Sequence, residues 1–254
     1  MASARWRVVA ASVRGTSHEK HNQPCQDEHR WETMPPDALI AAVADGAGTA
    51  FLGEAGAAAA ARRAVDVVRE CGVLPPANDD EKWRSFLRIA LESARDAVEA
   101  EASQCQLPSR DLATTLILVI ARPSLVAAAQ VGDGAAIVAD ADGKMLALTG
   151  SQPVSEYVNQ TTFLTSDEAI ETAQIALWRG RTAQIAVLSD GLQPLALKLP
   201  EGTPHEPFFA PLFRFVKGIE AESDACQQLT AFLSSPRITE RADDDLTLLL
   251  ASCA

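Results

Sequence analysis

Three things are missing from this 254-residue sequence, and each absence closes off a class of protein. No charge-free apolar run reaches membrane-spanning length, so a chain embedded in a bilayer is not expected. The opening stretch MASARWRVVAASVRG carries basic residues, but Ser12 and Arg14 break its short apolar run, and a secretory signal needs a longer one. No two cysteines stand at C-x-x-C spacing: Cys25, Cys71, Cys105, Cys226 and Cys253 are odd in number and scattered. That pattern suits reduced thiols in a cytoplasmic protein, most of them filling core. Basic charge is the third shortage. Lys and Arg number 22 against 34 Asp and Glu, for a formal net charge of −12 and a pI near 4.8. A duplex nucleic-acid binder needs clustered cations to displace counterions, so that class is excluded. The acidity suits an enzyme that binds divalent cations, and it suits plain solubility equally well.

What the sequence does have is core. Hydrophobic residues make up 47%, enough for a large buried interior, and no linker, repeat or composition shift divides residues 1–254, so one domain is expected. RWRVVAASV (5–13) and ALIAAVA (38–44) read as strands separated by a polar stretch. Alanine and valine spacing predicts a helix over 53–70 with Gly72 as its C-terminal cap. Asp79 or Asp80 then caps a second helix running to about Gln104, with Trp83, Phe86, Leu87, Ala90, Leu91 and Ala94 on one face. Short strands follow at 114–121, 125–131, 135–140 and 144–149, with Asp142-Gly143 as a hairpin turn between the last two. Two more strands (QIALWRG and TAQIAVLS), helices near 206–218 and 222–234, and a final strand LTLLLASC complete the pattern. Strands in meanders and helices in pairs predict an α+β, largely antiparallel fold.

Aspartates recur where strands end. Asp45 follows LIAAVA, Asp133 follows LVAAAQVG, Asp190 follows QIAVLS, and Asp244 or Asp245 precedes LTLLLA. Asp45, Asp133 and Asp190 are each followed by glycine. A single Asp-Gly is most often just a turn. Several carboxylates gathered at one edge repel each other unless protons or cations neutralise them, and an all-oxygen set of this kind suits Mg²⁺ or Mn²⁺. Glycine beside the acid would let a backbone carbonyl approach the same ion.

The order of these blocks resembles the metal-dependent PP2C-type (PPM) serine/threonine protein phosphatases, especially their compact bacterial branch. G-T-S-H with Q-D (Gly15–His18, Gln26-Asp27), V-A-D-G-A-G (43–48), L-A-T-T (112–115), V-G-D-G (131–134), L-S-D-G (188–191) and D-D-L-T (244–247) stand in the family's order, and the segment 155–165 is similar to a bacterial-branch block. The resemblance implies a four-layer α-β-β-α sandwich of two antiparallel sheets flanked by helix pairs, with a binuclear Mg²⁺ or Mn²⁺ centre at one end. It implies that Asp45 bridges both ions, Gly46 lends its carbonyl oxygen, Asp190 and Asp244 ligate one ion, and Asp133 approaches a weaker third. Asp27 is implied to hold a water of the centre, and cation-activated water to attack phosphorus in line on a phosphoserine or phosphothreonine protein. A cognate serine/threonine kinase would supply that substrate.

Four departures bear on the implied chemistry. Gln26 stands where the family has a ligand Glu, and a neutral amide attracts a cation less strongly than a carboxylate. The usual phosphate-binding Arg falls at or near Asn22, making Asn22 a substrate-binding candidate, with Arg14, His18 or Lys20 as substitutes. Ala47 replaces a His that serves as a candidate general acid, and His18 or His21 could take that part, since imidazole both gives and takes protons near neutral pH. Pro194 stands where third-metal members carry Asp. Thr114 and Thr115 read as support for the metal loop or a strand start, Tyr157 and Asn159 as loop anchors or substrate rim, and Trp83 and Trp178 as packing. Two other functions fit these departures: a catalytically weak protein that binds a phosphoprotein or regulator without turnover, and a two-metal hydrolase of small phosphoesters.

Overall fold

The computed structural model describes residues 6–150 and 161–253. In chain order, strand β1 (Trp6–Val13) leads through a short helix α1 (Thr16–Lys20) to β2 (Asp27–Met34) and β3 (Ala38–Asp45). Two long helices follow, α2 (Gly53–Cys71) and α3 (Asp80–Gln104). A 3₁₀ turn (Ser109–Leu112) opens the meander β4 (Leu116–Arg122), β5 (Leu125–Val131), β6 (Ala135–Asp140) and β7 (Met145–Thr149). Then come β8 (Gln174–Arg179), β9 (Thr182–Leu188), the turn-like α4 (Gln193–Ala196) and the two-residue pair β10 (Leu197–Lys198) and β11 (Thr203–Pro204). Helices α5 (Glu206–Lys217), α6 (Glu222–Leu233) and α7 (Pro236–Thr239) precede β12 (Leu246–Cys253).

The strands form two five-stranded antiparallel sheets, ordered β1-β12-β9-β6-β7 and β2-β3-β4-β5-β8. Their facing sides share one apolar layer in which Val8, Leu39, Val43, Val119 and Leu249 meet. On the outer side of the second sheet, α2 and α3 cover Ile40, Leu118 and Ile120. On the outer side of the first, α5 and α6 cover Val9, Leu248 and Leu250. The central strands are therefore dry on both faces, which explains why ALIAAVA is an unbroken apolar run and LVAAAQV is broken only by the buried Gln130. This is the expected α-β-β-α sandwich.

Caps behave as their residue types require. Gly72 ends α2 in the left-handed region at φ 67°. The Asp79 side chain accepts a hydrogen bond from the Lys82 backbone N–H at 3.1 Å at the start of α3. Trp83 is fully buried in the helix layer, whereas Trp178 is half-buried on the edge strand β8.

Two expectations need correction. The stretch between the first two strands is not a simple loop. It holds α1 and the whole of β2, DEHRWETM, whose charged sequence hid it. An edge strand has only one neighbour and leaves part of its surface wet, so polar residues are tolerated there. The cysteines do not fill the core: Cys71 and Cys105 are exposed near helix ends and the other three are half-buried, all with free thiols. Tyr157 and Asn159 lie outside the described residues. Among the described residues, no helix is long and apolar enough to cross a membrane.

Candidate metal centre

Antiparallel pairing brings the strand-end acids to one end of the sandwich. In the β2–β3 ladder Asp27 stands directly opposite Asp45. Asp190 follows β9, Asp244 precedes β12, and Asp133 sits in the tight link between β5 and β6. Asp45, Asp133 and Asp190 each offer a carboxylate oxygen, and these oxygens lie within 4.8 Å of one another. They border a cleft of about 520 Å³ whose walls also carry Gly46, Asp244 and His18.

The carboxylates are held by a frame of hydrogen bonds. Asp45 N–H donates to Thr115 Oγ1 at 3.1 Å, while its carbonyl accepts from Thr114 Oγ1 at 2.9 Å and from Thr115 N–H at 2.8 Å. The two threonines thus hold the Asp45 loop and lie outside β4, which begins at Leu116. Thr161 Oγ1 donates to Asp133 Oδ2 at 2.8 Å. Ser189 Oγ donates to Asp27 Oδ2 at 2.7 Å and accepts from Thr247 N–H at 2.9 Å. Gly46 is required by packing: a Cβ there would run into the backbone of Gly53 at the start of α2, whereas one at Gly48 would meet nothing.

Whether cations fit can be read from what is left unsatisfied. Asp27 Oδ1 and Asp190 Oδ1 are buried with no hydrogen-bond partner among the described residues. An ionised oxygen in that state is strongly unfavourable, so these carboxyls hold their protons more tightly than usual. Burial, with the charges of Asp27 and Asp190 added, pushes the Asp45 carboxyl far above its ordinary range. Burial raises Asp27 to about 7, partly opposed by hydrogen bonds from Ser189 and Thr247 and reinforced by Asp245 and Asp190. Asp190 rises to about 6 through burial and the neighbouring Asp133. Without cations the cluster must hold protons. A hard, all-oxygen site with orphaned lone pairs and suppressed ionisation fits Mg²⁺ or Mn²⁺.

Residues at the family's variant positions are now placed. Gln26 is buried, its amide oxygen has no hydrogen-bond partner among the described residues, and its side chain does not line the cleft. Ala47 lines the cleft as a small apolar wall. Pro194 opens α4, and the preceding Gln193 donates from Nε2 to the Gly134 carbonyl at 3.0 Å, tying the Asp190 turn to the Asp133 loop. Asn22 is exposed in a left-handed turn at φ 55° and does not line the cleft.

Asp245, which the sequence offered only as an alternative to Asp244, has a distinct place. It is 2% exposed and accepts three hydrogen bonds: from Gly15 N–H and Gln26 N–H, each at 2.6 Å, and from His18 Nδ1 at 2.8 Å. It ties the chain after β1, the start of β2 and the start of β12 into one knot. The available signal was the doubled acid before a strand, in which Asp244 faces the cleft and Asp245 turns inward.

Comparison with known proteins bears on the fold and the family. The family model for Protein phosphatase 2C matches residues 14–234. Serine/threonine-protein phosphatase 3 of Escherichia coli (strain K12) is 36% identical over 258 residues, covering 97% of this chain and 98% of that protein. Among solved structures, the serine/threonine phosphatase Stp1 from Staphylococcus aureus superposes with a TM-score of 0.65 at 14% identity, covering 98% of this chain and 95% of that one. The catalytic domain of the serine/threonine protein phosphatase PstP, solved with two manganese ions, gives 0.61 at 15% identity over 98% of both chains.

Proposed function

The chain belongs to the Protein phosphatase 2C family, and from that premise we propose that it hydrolyses phosphoserine and phosphothreonine on proteins with two bound Mg²⁺ or Mn²⁺ ions. The observation that carries this reading is the convergence of Asp45, Asp133 and Asp190 to within 4.8 Å on an open cleft, with buried carboxylate oxygens left unpaired. Asp45, opposite Asp27 in the ladder and close to Asp190, would be the central ligand to the cations, with the Gly46 carbonyl beside it. Asp190 and Asp244 would also serve as ligands. Asp133, with no carboxylate at Pro194 to help it, would hold a further ion weakly at most. When bound, the cations supply Lewis acidity toward the phosphoryl oxygens and an activated water nucleophile.

The chain's own residues then position and exchange protons. Asp27, held by a hydrogen bond from Ser189 and standing opposite Asp45 in the ladder, would orient a water of the centre. His18 is anchored through Nδ1 to Asp245, so Nε2 is the nitrogen left to protonate the departing serine or threonine oxygen. The substrate is a phosphoprotein, loaded by a serine/threonine kinase.

The test is an assay of the purified chain with Mn²⁺, Mg²⁺ or EDTA on a phosphothreonine peptide and an aryl phosphate. Metal-dependent turnover favouring the peptide is expected. Binding of the phosphopeptide without turnover would replace this reading with that of a non-catalytic binder. Preference for the small ester would make it a general phosphoesterase.

A further inference from the structure

The phosphatase reading, on which this inference rests, leaves the phosphoryl group short of protein ligands. The carboxylates of Asp45, Asp133, Asp190 and Asp244 cancel two divalent cations charge for charge, and Asp243 adds a further carboxylate to the cleft wall. A phosphomonoester carries nearly two negative charges at neutral pH, so a cleft balanced in this way needs other donors to hold it. Among the described residues, no Lys or Arg lines the cleft. Arg14 instead reaches the Gln23 carbonyl at 3.3 Å and Glu19 at 3.9 Å.

Two imidazoles do line it. Helix α1 carries His18, and His21 caps its C-terminus three residues later, which places both on one side of the turn. His21 Nδ1 lies 2.8 Å from the Ser17 carbonyl oxygen, which can only accept. The proton is thereby assigned to Nδ1, and Nε2 is the ring's one uncommitted nitrogen. His18 is buried and tied to Asp245, whereas His21 is exposed at the rim. A phosphoryl oxygen offers a lone pair to a protonated ring or an O–H to a neutral one, and Nε2 can pair with either.

We propose that His21 is the protein's ligand for the phosphoryl group, its Nε2 pairing with a non-bridging oxygen of the phosphomonoester. Asn22, one residue on, is exposed and does not line the cleft. The occupant is the phosphoryl group itself, whichever residue carries it.

Asparagine and glutamine separate this role from a capping role. In His21→Asn the amide can still donate to the Ser17 carbonyl but reaches no further. In His21→Gln a donor extends to about where Nε2 was. Both variants of the full, Mn²⁺-loaded chain are compared with the unmodified protein for KM and kcat on a phosphothreonine peptide, for competitive inhibition by inorganic phosphate, and for phosphate binding by calorimetry. Loss of one hydrogen bond to a charged group predicts that His21→Asn weakens KM and phosphate binding together by about tenfold, with kcat and Mn²⁺ affinity little changed. His21→Gln should recover most of the loss. Unchanged phosphate binding in His21→Asn overturns the proposal, as does equal damage in both variants together with a lowered melting temperature, which would mark a structural cap. If the unmodified chain shows no metal-dependent turnover, the phosphatase reading fails, and the calorimetric phosphate titration still decides His21.

Discussion

Asp45 shows how a single residue can be a liability to the fold and a requirement for the site. Its carboxyl faces Asp27 across the ladder and shares the cleft with Asp190, so in the metal-free protein it keeps its proton. Asparagine has nearly the same shape and removes only the ability to ionise. Asp45→Asn is therefore expected to abolish Mn²⁺-dependent turnover by at least about a thousandfold, roughly 4 kcal/mol of barrier. The metal-free variant should melt no lower than the metal-free native protein, because a neutral amide replaces a carboxyl that is already protonated there. Activity assays beside thermal melts in EDTA check both halves. Near-native activity would remove Asp45 from the centre. Full legibility of such residues in the sequence was limited to those that end apolar runs. Asp245 does not differ from Asp244 in any local pattern, and only its three accepted hydrogen bonds set it apart.

Among the elements, α2 and the 3₁₀ turn Ser109–Leu112 have the closest bearing on the site. Gly56 in α2 lies against the Leu112 carbonyl, and a Cβ at that position would overlap it. Glycine in a helix interior ordinarily costs about 1 kcal/mol relative to alanine, so Gly56→Ala elsewhere would stabilise. Here the obstacle is backbone, which cannot swing aside. Gly56→Ala is expected to destabilise by about 1–3 kcal/mol. The turn runs directly into Thr114 and Thr115, which hold Asp45, so Mn²⁺ affinity measured by calorimetry should weaken alongside the melting temperature. A variant that melts higher than the native protein would show that the helix and turn are less tightly engaged. Strand β2 carries the opposite lesson: its polar sequence gives no periodic signal, yet it delivers Asp27 to the centre.

For the whole molecule, pH and metal act on the same quantity. Asp27 and Asp190 bind protons more tightly in the folded chain, at about 7 and about 6, than the ordinary 3.8 of an unfolded aspartate. A raised carboxyl contributes stability that is fully present below the unfolded value and is lost as pH rises through the folded one. The metal-free protein should therefore become less stable from about pH 4 to about pH 8, since the folded state binds more protons across that window. The net charge of −12 adds self-repulsion in the same direction. Saturating Mn²⁺ replaces those protons, and at a hundred times its dissociation constant adds about 2.7 kcal/mol per site. Thermal melts at pH 5.5 and 8, in EDTA and in Mn²⁺, should show a fall with pH in EDTA that shrinks in Mn²⁺. An equal fall in both would assign the effect to surface charge alone.

The pattern of residues by itself determined an α+β, antiparallel class of fold and the ends of most strands, whereas the four layers followed from the family resemblance. Apolar runs report burial, the central strands are buried on both faces, and the long helices carry their caps in adjacent residues. It also set which acids follow apolar runs, and so most of the cleft. Tertiary structure alone decided what those acids touch. Gly15, His18 and Gln26 meet Asp245 across separations of 219 to 230 residues, and Ser189 meets Asp27 across 162. Such pairs follow from sheet order and strand register, which no local window contains. The same holds for Asn22 and His21: adjacent in the chain and both polar, they differ only in which one the turn of α1 leaves against the cleft.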